Sequence, residues 1–273
     1  MTAAAAALLV MALVAPPDAS TPGILLEDLT WIEAEKVLTP DAVVVIPLGA
    51  ESKEHGPHLR LKNDFVMAQY LARRVLERSK VVVAPTLNYG YYPAFVEYPG
   101  STSLSLETSR DMIVEICRGL ARFGPKRFYV LNTGVSTVAA LKPAAAALAS
   151  EGVLMRYTDV LTITEDVEKK VSEQEGGTHA DEIETSMMLY LSPEDVDMSK
   201  AVKDYHPGKG LTRDPNKKDM AYSASGVYGD ATLATREKGR LITEATVDRT
   251  VAEIEALRKA PLPGALVTTP SVR

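Results

Sequence analysis

The sequence predicts an α/β fold: a single three-layer αβα domain around a mostly parallel central sheet. Three observations predict it. Short β-branched runs such as Val43-Val44-Val45-Ile46 alternate with longer helix-like segments. The runs are apolar throughout rather than every second residue, as expected of strands covered on both faces. The chain has 273 residues, 46% of them hydrophobic, within the range (~250 residues) that one α/β domain commonly reaches.

The elements follow in order. Val43 to Pro47 reads as a buried strand. Phe65 to Ser79 reads as a helix, with Asn63 or Asp64 as its cap. Lys80 to Pro85 is a second strand, stopped by its proline. Residues 86–102 are aromatic and rich in Gly and Pro, a long loop of the kind that usually carries function. Leu106 to Phe123 is a helix, Arg127 to Asn132 a third strand, and Thr133 to Thr137 a small-residue turn into a helix over Val138 to Glu151. Val153 to Tyr157 makes a fourth strand. A linker around Gly176 leads to a helix opening near His179; Asp204 to Ser225 is polar, and a long helix from about Thr232 to Arg258 precedes a Pro-containing tail. Trp31, near the start, is expected to anchor the core.

Residues 1–20 are set apart from this domain, residues 21–273. Thr2 to Ala15 is apolar and small, too short to span a bilayer but of the length of a signal-peptide core, although no Lys or Arg precedes it. Export to the periplasm or medium is the expectation, with a cytoplasmic location if this leader is not a signal. Net charge is −6, with Lys and Arg interspersed among acids, which argues against nucleic acid as a partner. The lone Cys117 permits no intrachain disulfide and reads as a buried thiol on an amphipathic helix. Gly134 is a lone glycine at a strand–helix turn; there is neither a phosphate loop nor a dinucleotide fingerprint.

The chemistry concentrates in two clusters that hold three of the four histidines. The first, Glu51 to Asp64, follows the first strand and contains Glu54, His55, His58 and Asp64. Imidazole and carboxylate together suit Zn, Mn or Fe, and the end of a strand is where α/β folds place their sites. The second, His179-Ala180-Asp181-Glu182-Ile183-Glu184-Thr185-Ser186, opens a helix. His179 and Glu182 are three apart and are expected on one helical face, half a metal site or a proton shuttle. Glu184 reads as an exposed helix residue and Ser186 as a packing hydroxyl. Tyr91, Tyr92 and Tyr98 either line a pocket or pack the loop.

These motifs resemble the creatininase (creatinine amidohydrolase) family. Pro47-Leu48-Gly49-Ala50, Glu54-His55-Gly56-Pro57-His58-Leu59 and Asp64 are similar to its opening motif. Tyr98-Pro99-Gly100-Ser101 resembles the loop after its second strand, and His179-Ala180-Asp181-Glu182 with Glu184-Thr185-Ser186 its His-Ala-Gly-Glu…Glu-Thr-Ser motif. Ser225 to Asp230 with Glu237-Lys238-Gly239 resembles its C-terminal signature. The resemblance spans roughly residues 27–257. It implies an often hexameric α/β hydrolase that opens small amides, lactams or short peptide bonds by a metal-bound hydroxide on one or two divalent ions (Zn, Mn or Fe).

On that pattern Glu54, His55, Asp64 and Glu182 are the implied ligands, and His179 and Glu182 the implied catalytic groups. His179 transfers protons or only orients a ligand. His58, Ser101, Asn132 and Tyr92 are implied to support the site or touch substrate. The chain departs from the pattern in two places. Lys53 stands where the family places a ligand glutamate, leaving Glu54, then Glu51, as substitutes. Asn132-Thr133-Gly134 replaces the third-strand Asn-Gly-His, so a metal histidine is missing. The site is then reduced to one ion or rebuilt with His58 or His179. Two alternatives accompany the amidohydrolase reading: a catalytically impaired member that binds a ligand or partner, and a metal-dependent esterase or lactonase.

Overall fold

A computed structural model describes residues 22–264; the leader expected over residues 1–20 lies outside them. Five parallel strands form the central sheet: β1 (Ile24–Leu25), β2 (Val43–Leu48), β3 (Val82–Val83), β4 (Arg127–Asn132) and β5 (Leu154–Tyr157), in the order β1-β3-β2-β4-β5. β2 is central and pairs β4 along its whole length, Val43 opposite Arg127 through Leu48 opposite Asn132. All six β2 residues are buried, which is why the run carries no polar alternation.

The helices are α1 (Trp31–Val37), α2 (Asn63–Arg78), α3 (Leu106–Ala121), α4 (Val138–Ala149), α5 (Glu165–Val171), α6 (Glu182–Leu191) and α7 (Arg236–Lys259). Successive strand residues point to opposite faces, and the core divides accordingly. Val43, Val45, Tyr129 and Leu131 pack with Met67, Leu71 and Val75 of α2, Met188 of α6 and Ile242, Ile254 and Leu257 of α7. Val44, Ile46, Phe128 and Val130 pack with Ile113 and Cys117 of α3 and Leu141 and Leu148 of α4. This is the three-layer αβα architecture expected. Burial pushes the Cys117 thiol up to about 12, an inert core group.

Local signals set the helix ends. Thr30 and Glu33 form a reciprocal capping box on α1, Ser105 caps α3 and Thr235 caps α7. α2 differs from expectation: it starts at Asn63, behind Lys62, with no side-chain cap. Asp64 is turned to other work, described below. Trp31 also differs, being 77% exposed. α1 is only 7 residues long, and it turns Ala34 and Val37, one i, i+3 step apart, to the core.

Two small ladders close the C-terminal end of the sheet. β6 (Lys203–Asp204) pairs antiparallel with β9 (Gly229–Asp230), and β7 (Leu211–Thr212) pairs parallel with β8 (Ala221–Tyr222). Among the described residues, no helix is long and apolar enough to cross a membrane.

Candidate metal centre

The segment after β2 leaves the sheet at its C-terminal end and returns into α2, so one strand and one helix position the first cluster. The return is tight. A Cβ on Gly49 would lie 2.1 Å from the Asp64 carbonyl oxygen, so only glycine lets the start of α2 back onto the strand end. Asp64 is fully buried. Its Oδ1 lies 2.8 Å from His55 Nε2 and its Oδ2 2.6 Å from Lys53 Nζ. His55 Nδ1 lies 2.9 Å from the Lys53 carbonyl; donating a proton there, it leaves Nε2 facing the carboxylates.

The second cluster arrives from the other side of the chain. His179 is not helical: it makes an antiparallel bridge with Tyr228. Ala180 then takes the left-handed conformation (φ 48°), and Asp181 caps α6 by accepting from the amides of Ile183 and Glu184. The helical-face arithmetic that paired His179 with Glu182 therefore fails, because the chain turns between them. Glu184, in the first turn of α6, folds back instead. Its Oε2 accepts from the Ala180 amide at 2.6 Å and lies 3.6 Å from His179 Nδ1, while Oε1 lies 3.4 Å from His55 Nε2. A ligand atom from each of His55, His179 and Glu184 comes within 4.8 Å of the others.

Two imidazoles and a carboxylate with an open side are the donor set of a catalytic Zn, Mn or Fe site, and these residues fit such an ion. His179 Nε2 is 2.9 Å from the Glu54 carbonyl and 3.3 Å from its carboxylate. Those contacts fix the ring and leave Nδ1 toward Glu184, as partners of metal-bound histidines do.

The electrostatics reflect the crowding. Burial alone would lower the pKa of His55, but Asp64 and Glu184 beside it hold it up at about 9. Burial opposes ionisation of Glu184 too, yet His55, His179 and Lys53 hold it well below the carboxylate range. Burial pushes His58 down to about 4 and Asp181 up to about 6. A cavity of about 740 Å³ opens over the cluster. Lys53, His179 and Glu184 line it beside Phe95, Leu211 and Met187, and the ends of β4 and β5 contribute Asn132, Thr133 and Thr158.

The remaining expected residues fall around this centre. Glu54 bonds the Gly56 amide and His179 rather than joining the three ligand atoms. Ser101 Oγ accepts from the Glu54 amide at 2.9 Å. His58 Nε2 bonds Thr185 Oγ1 at 2.8 Å, and its Nδ1 is buried without a partner. Asn132 accepts from the Gly134 amide and Thr137, shaping the turn into α4. Tyr92 packs behind the cavity beside Phe95 and Ala50, and the Tyr98 hydroxyl donates to the Ser223 carbonyl. Glu51 bonds Asn88 at the surface, away from the cluster. His206 is exposed, near Asp204.

Glu182 is a correction. It is fully buried but faces away from the centre, bound to Lys238 Nζ and to the amides of Glu173 and Gln174. Glu184, read from the sequence as exposed, is the acid of this turn whose carboxylate lies beside His55 and His179. The available signal was its position in the first helical turn, where a glutamate can reach back toward the chain before the helix. Lys53, which departs from the family pattern, reaches Asp64 itself.

The family model for creatininase (creatinine amidohydrolase) matches residues 27–254. The creatinine amidohydrolase of Pseudomonas putida is 32% identical over 240 residues, covering 81% of this chain and 92% of that protein. The mycofactocin precursor peptide peptidase of Mycobacterium tuberculosis is 31% identical over 237 residues, covering 82% and 88%. A solved manganese creatininase superposes with a TM-score of 0.73 at 28% identity, covering 87% of this chain and 100% of the other. With the parallel sheet, the Glu54-His55-Gly56-Pro57-His58 loop and the His179–Glu184 turn in place, the chain belongs to the creatininase family.

Proposed function

We propose that this protein is a metal-dependent hydrolase that opens the C–N bond of a small amide, lactam or short peptide. The observation that carries the reading is the convergence of the buried His55 with His179 and Glu184, two residues of the cavity wall. Two C–N-cleaving relatives, a creatinine amidohydrolase and a precursor peptide peptidase, support the bond type.

His55 Nε2, His179 Nδ1 and a Glu184 oxygen would hold the ion. Bound there, a divalent metal supplies a Lewis acid that polarises a carbonyl and lowers the pKa of water. The chain does the rest. The Lys53 carbonyl and the Glu54 carbonyl and carboxylate orient the two rings through their outer nitrogens. Phe95, Leu211 and Met187 give the cavity apolar walls that limit water around the reacting carbonyl. Its volume, about 740 Å³, fits a small molecule or the end of a short peptide.

Elemental mass spectrometry of the purified protein, beside His55→Ala and Glu184→Gln, tests the metal. We expect bound Zn, Mn or Fe that both variants lose. No metal after incubation with each ion would overturn the hydrolase reading and leave a ligand-binding protein on this fold. A panel of cyclic amides, short peptides and chromogenic esters then separates amide from ester chemistry.

A further inference from the structure

The most unusual group in the cavity is a lysine. Lys53 is 4% exposed, although buried ammonium groups are rare without a partner. Its partner is the fully buried Asp64, with Nζ 2.6 Å from Oδ2. Two rings complete its surroundings: the ammonium lies 4.8 Å from the centroid of Phe95 and 5.5 Å from that of Tyr92, inside the range of cation–π attraction. A carboxylate and two aromatic faces make a built site for one positive charge, and its occupant is tethered to the chain.

This bears on how many metal ions the centre accepts. Asp64 lies between the two halves of the cluster, Oδ1 facing His55 and Oδ2 facing Lys53. A divalent ion bound to Oδ2 would have to sit about 2.0–2.2 Å from it. The ammonium already holds that oxygen at 2.6 Å, and two cations that close repel in a low-dielectric interior. On the other side, His55, His179 and Glu184 each bring a ligand atom within 4.8 Å of the others, none of them being Asp64 Oδ2.

We propose that the Lys53 ammonium is a resident cation that occupies Asp64 Oδ2 and restricts this centre to a single divalent ion, held by His55, His179 and Glu184. The inference rests on the reading that the centre holds a divalent metal at all. It assigns Lys53 a task that the resemblance leaves to a glutamate: instead of adding a ligand for another ion, position 53 supplies the positive charge itself. The cavity then presents a metal edge and an ammonium edge to the substrate, since Lys53 lines it together with His179 and Glu184.

The test is metal stoichiometry by native and elemental mass spectrometry on the full chain, loaded with Zn or with Mn. The wild type is compared with Lys53→Glu and Lys53→Gln, and thermal melting reads whether each variant is folded. We expect one equivalent in the wild type and a second in Lys53→Glu, where a carboxylate replaces the ammonium beside Asp64. If Lys53→Glu does not fold, the second equivalent is expected in Lys53→Gln. Two equivalents in the wild type would overturn the inference while leaving the metal-dependent reading intact. Folded variants that both stay at one equivalent would also overturn it. No metal in the wild type would overturn both readings together.

Discussion

Glu182 offers the sharpest separation between a structural carboxylate and a ligand. It is fully buried, and Lys238, whose side chain is 14% exposed, holds its Oε1 at 2.5 Å. Its Oε2 accepts from the Glu173 amide at 2.8 Å, the Gln174 amide at 2.7 Å and Ser172 Oγ at 3.1 Å. Glu182→Gln keeps the shape but has one acceptor oxygen. If that oxygen serves the two amides, the new NH2 group points at the Lys238 ammonium, donor against donor.

Breaking a buried pair from one side costs about 3–5 kcal/mol. The low end applies here, because Lys238 keeps Glu173 Oε1 at 2.6 Å and the Leu233 carbonyl at 3.1 Å. About 3 kcal/mol corresponds to a Tm lower by about 6–12 °C in a chain of this size. Urea unfolding and thermal melting at pH 7 read the stability, and elemental analysis reads the metal. The expected result is a destabilised variant with unchanged metal content. Lys238→Met should lose a similar amount, and the double variant less than the sum, since the two groups share one contact. A Glu182→Gln protein of wild-type stability that has lost its metal would refute the reasoning and restore Glu182 as a ligand.

Two further perturbations probe other parts of the fold. His58 is held down to about 4 by burial, against Glu184 and Glu54, which raise it, and with His55 and His179, which lower it. Because its folded pKa is depressed, the stability linked to it is present above pH 6.5 and lost as pH falls from about 6.5 to about 4; His58→Gln should flatten that limb of the Tm–pH profile, and an unchanged slope would count against the assignment. Gly239 is where α7 presses on α6: an added Cβ would lie 1.7 Å from the Ser186 carbonyl oxygen, so Gly239→Ala should lower stability by about 1–3 kcal/mol despite alanine's better helix propensity, and an unshifted urea midpoint would show that the helices separate at no cost.

The sequence by itself determined the architecture. Short β-branched runs without alternation fit strands covered on both faces, and the two sides of β2 and β4 take up those residues as the pattern requires. The helix caps Ser105 and Thr235 act through neighbours three residues away and needed no tertiary information. The cluster of His55 and Asp64 was legible for the same reason, since loop and helix start are consecutive in the chain. Sequence also marked the His179 turn as a partner to that cluster, but not which of its acids faces inward. A single left-handed residue, Ala180, rotates α6 relative to His179, and Glu182 finds Lys238 across 56 positions. Spacing along the chain says nothing about such a pairing.

Lys53 shows the same limit more strongly. As a sequence it is a surface-type residue in a ligand's position; only the fold brings Phe95, Tyr92 and Asp64 around it and turns it into a buried cation. Trp31 is the converse case. A core role was expected of it, but a short helix buries one narrow stripe, and that stripe went to Ala34 and Val37. Short-range rules specify elements because their causes are local, whereas the site is decided by which charges meet once those elements pack.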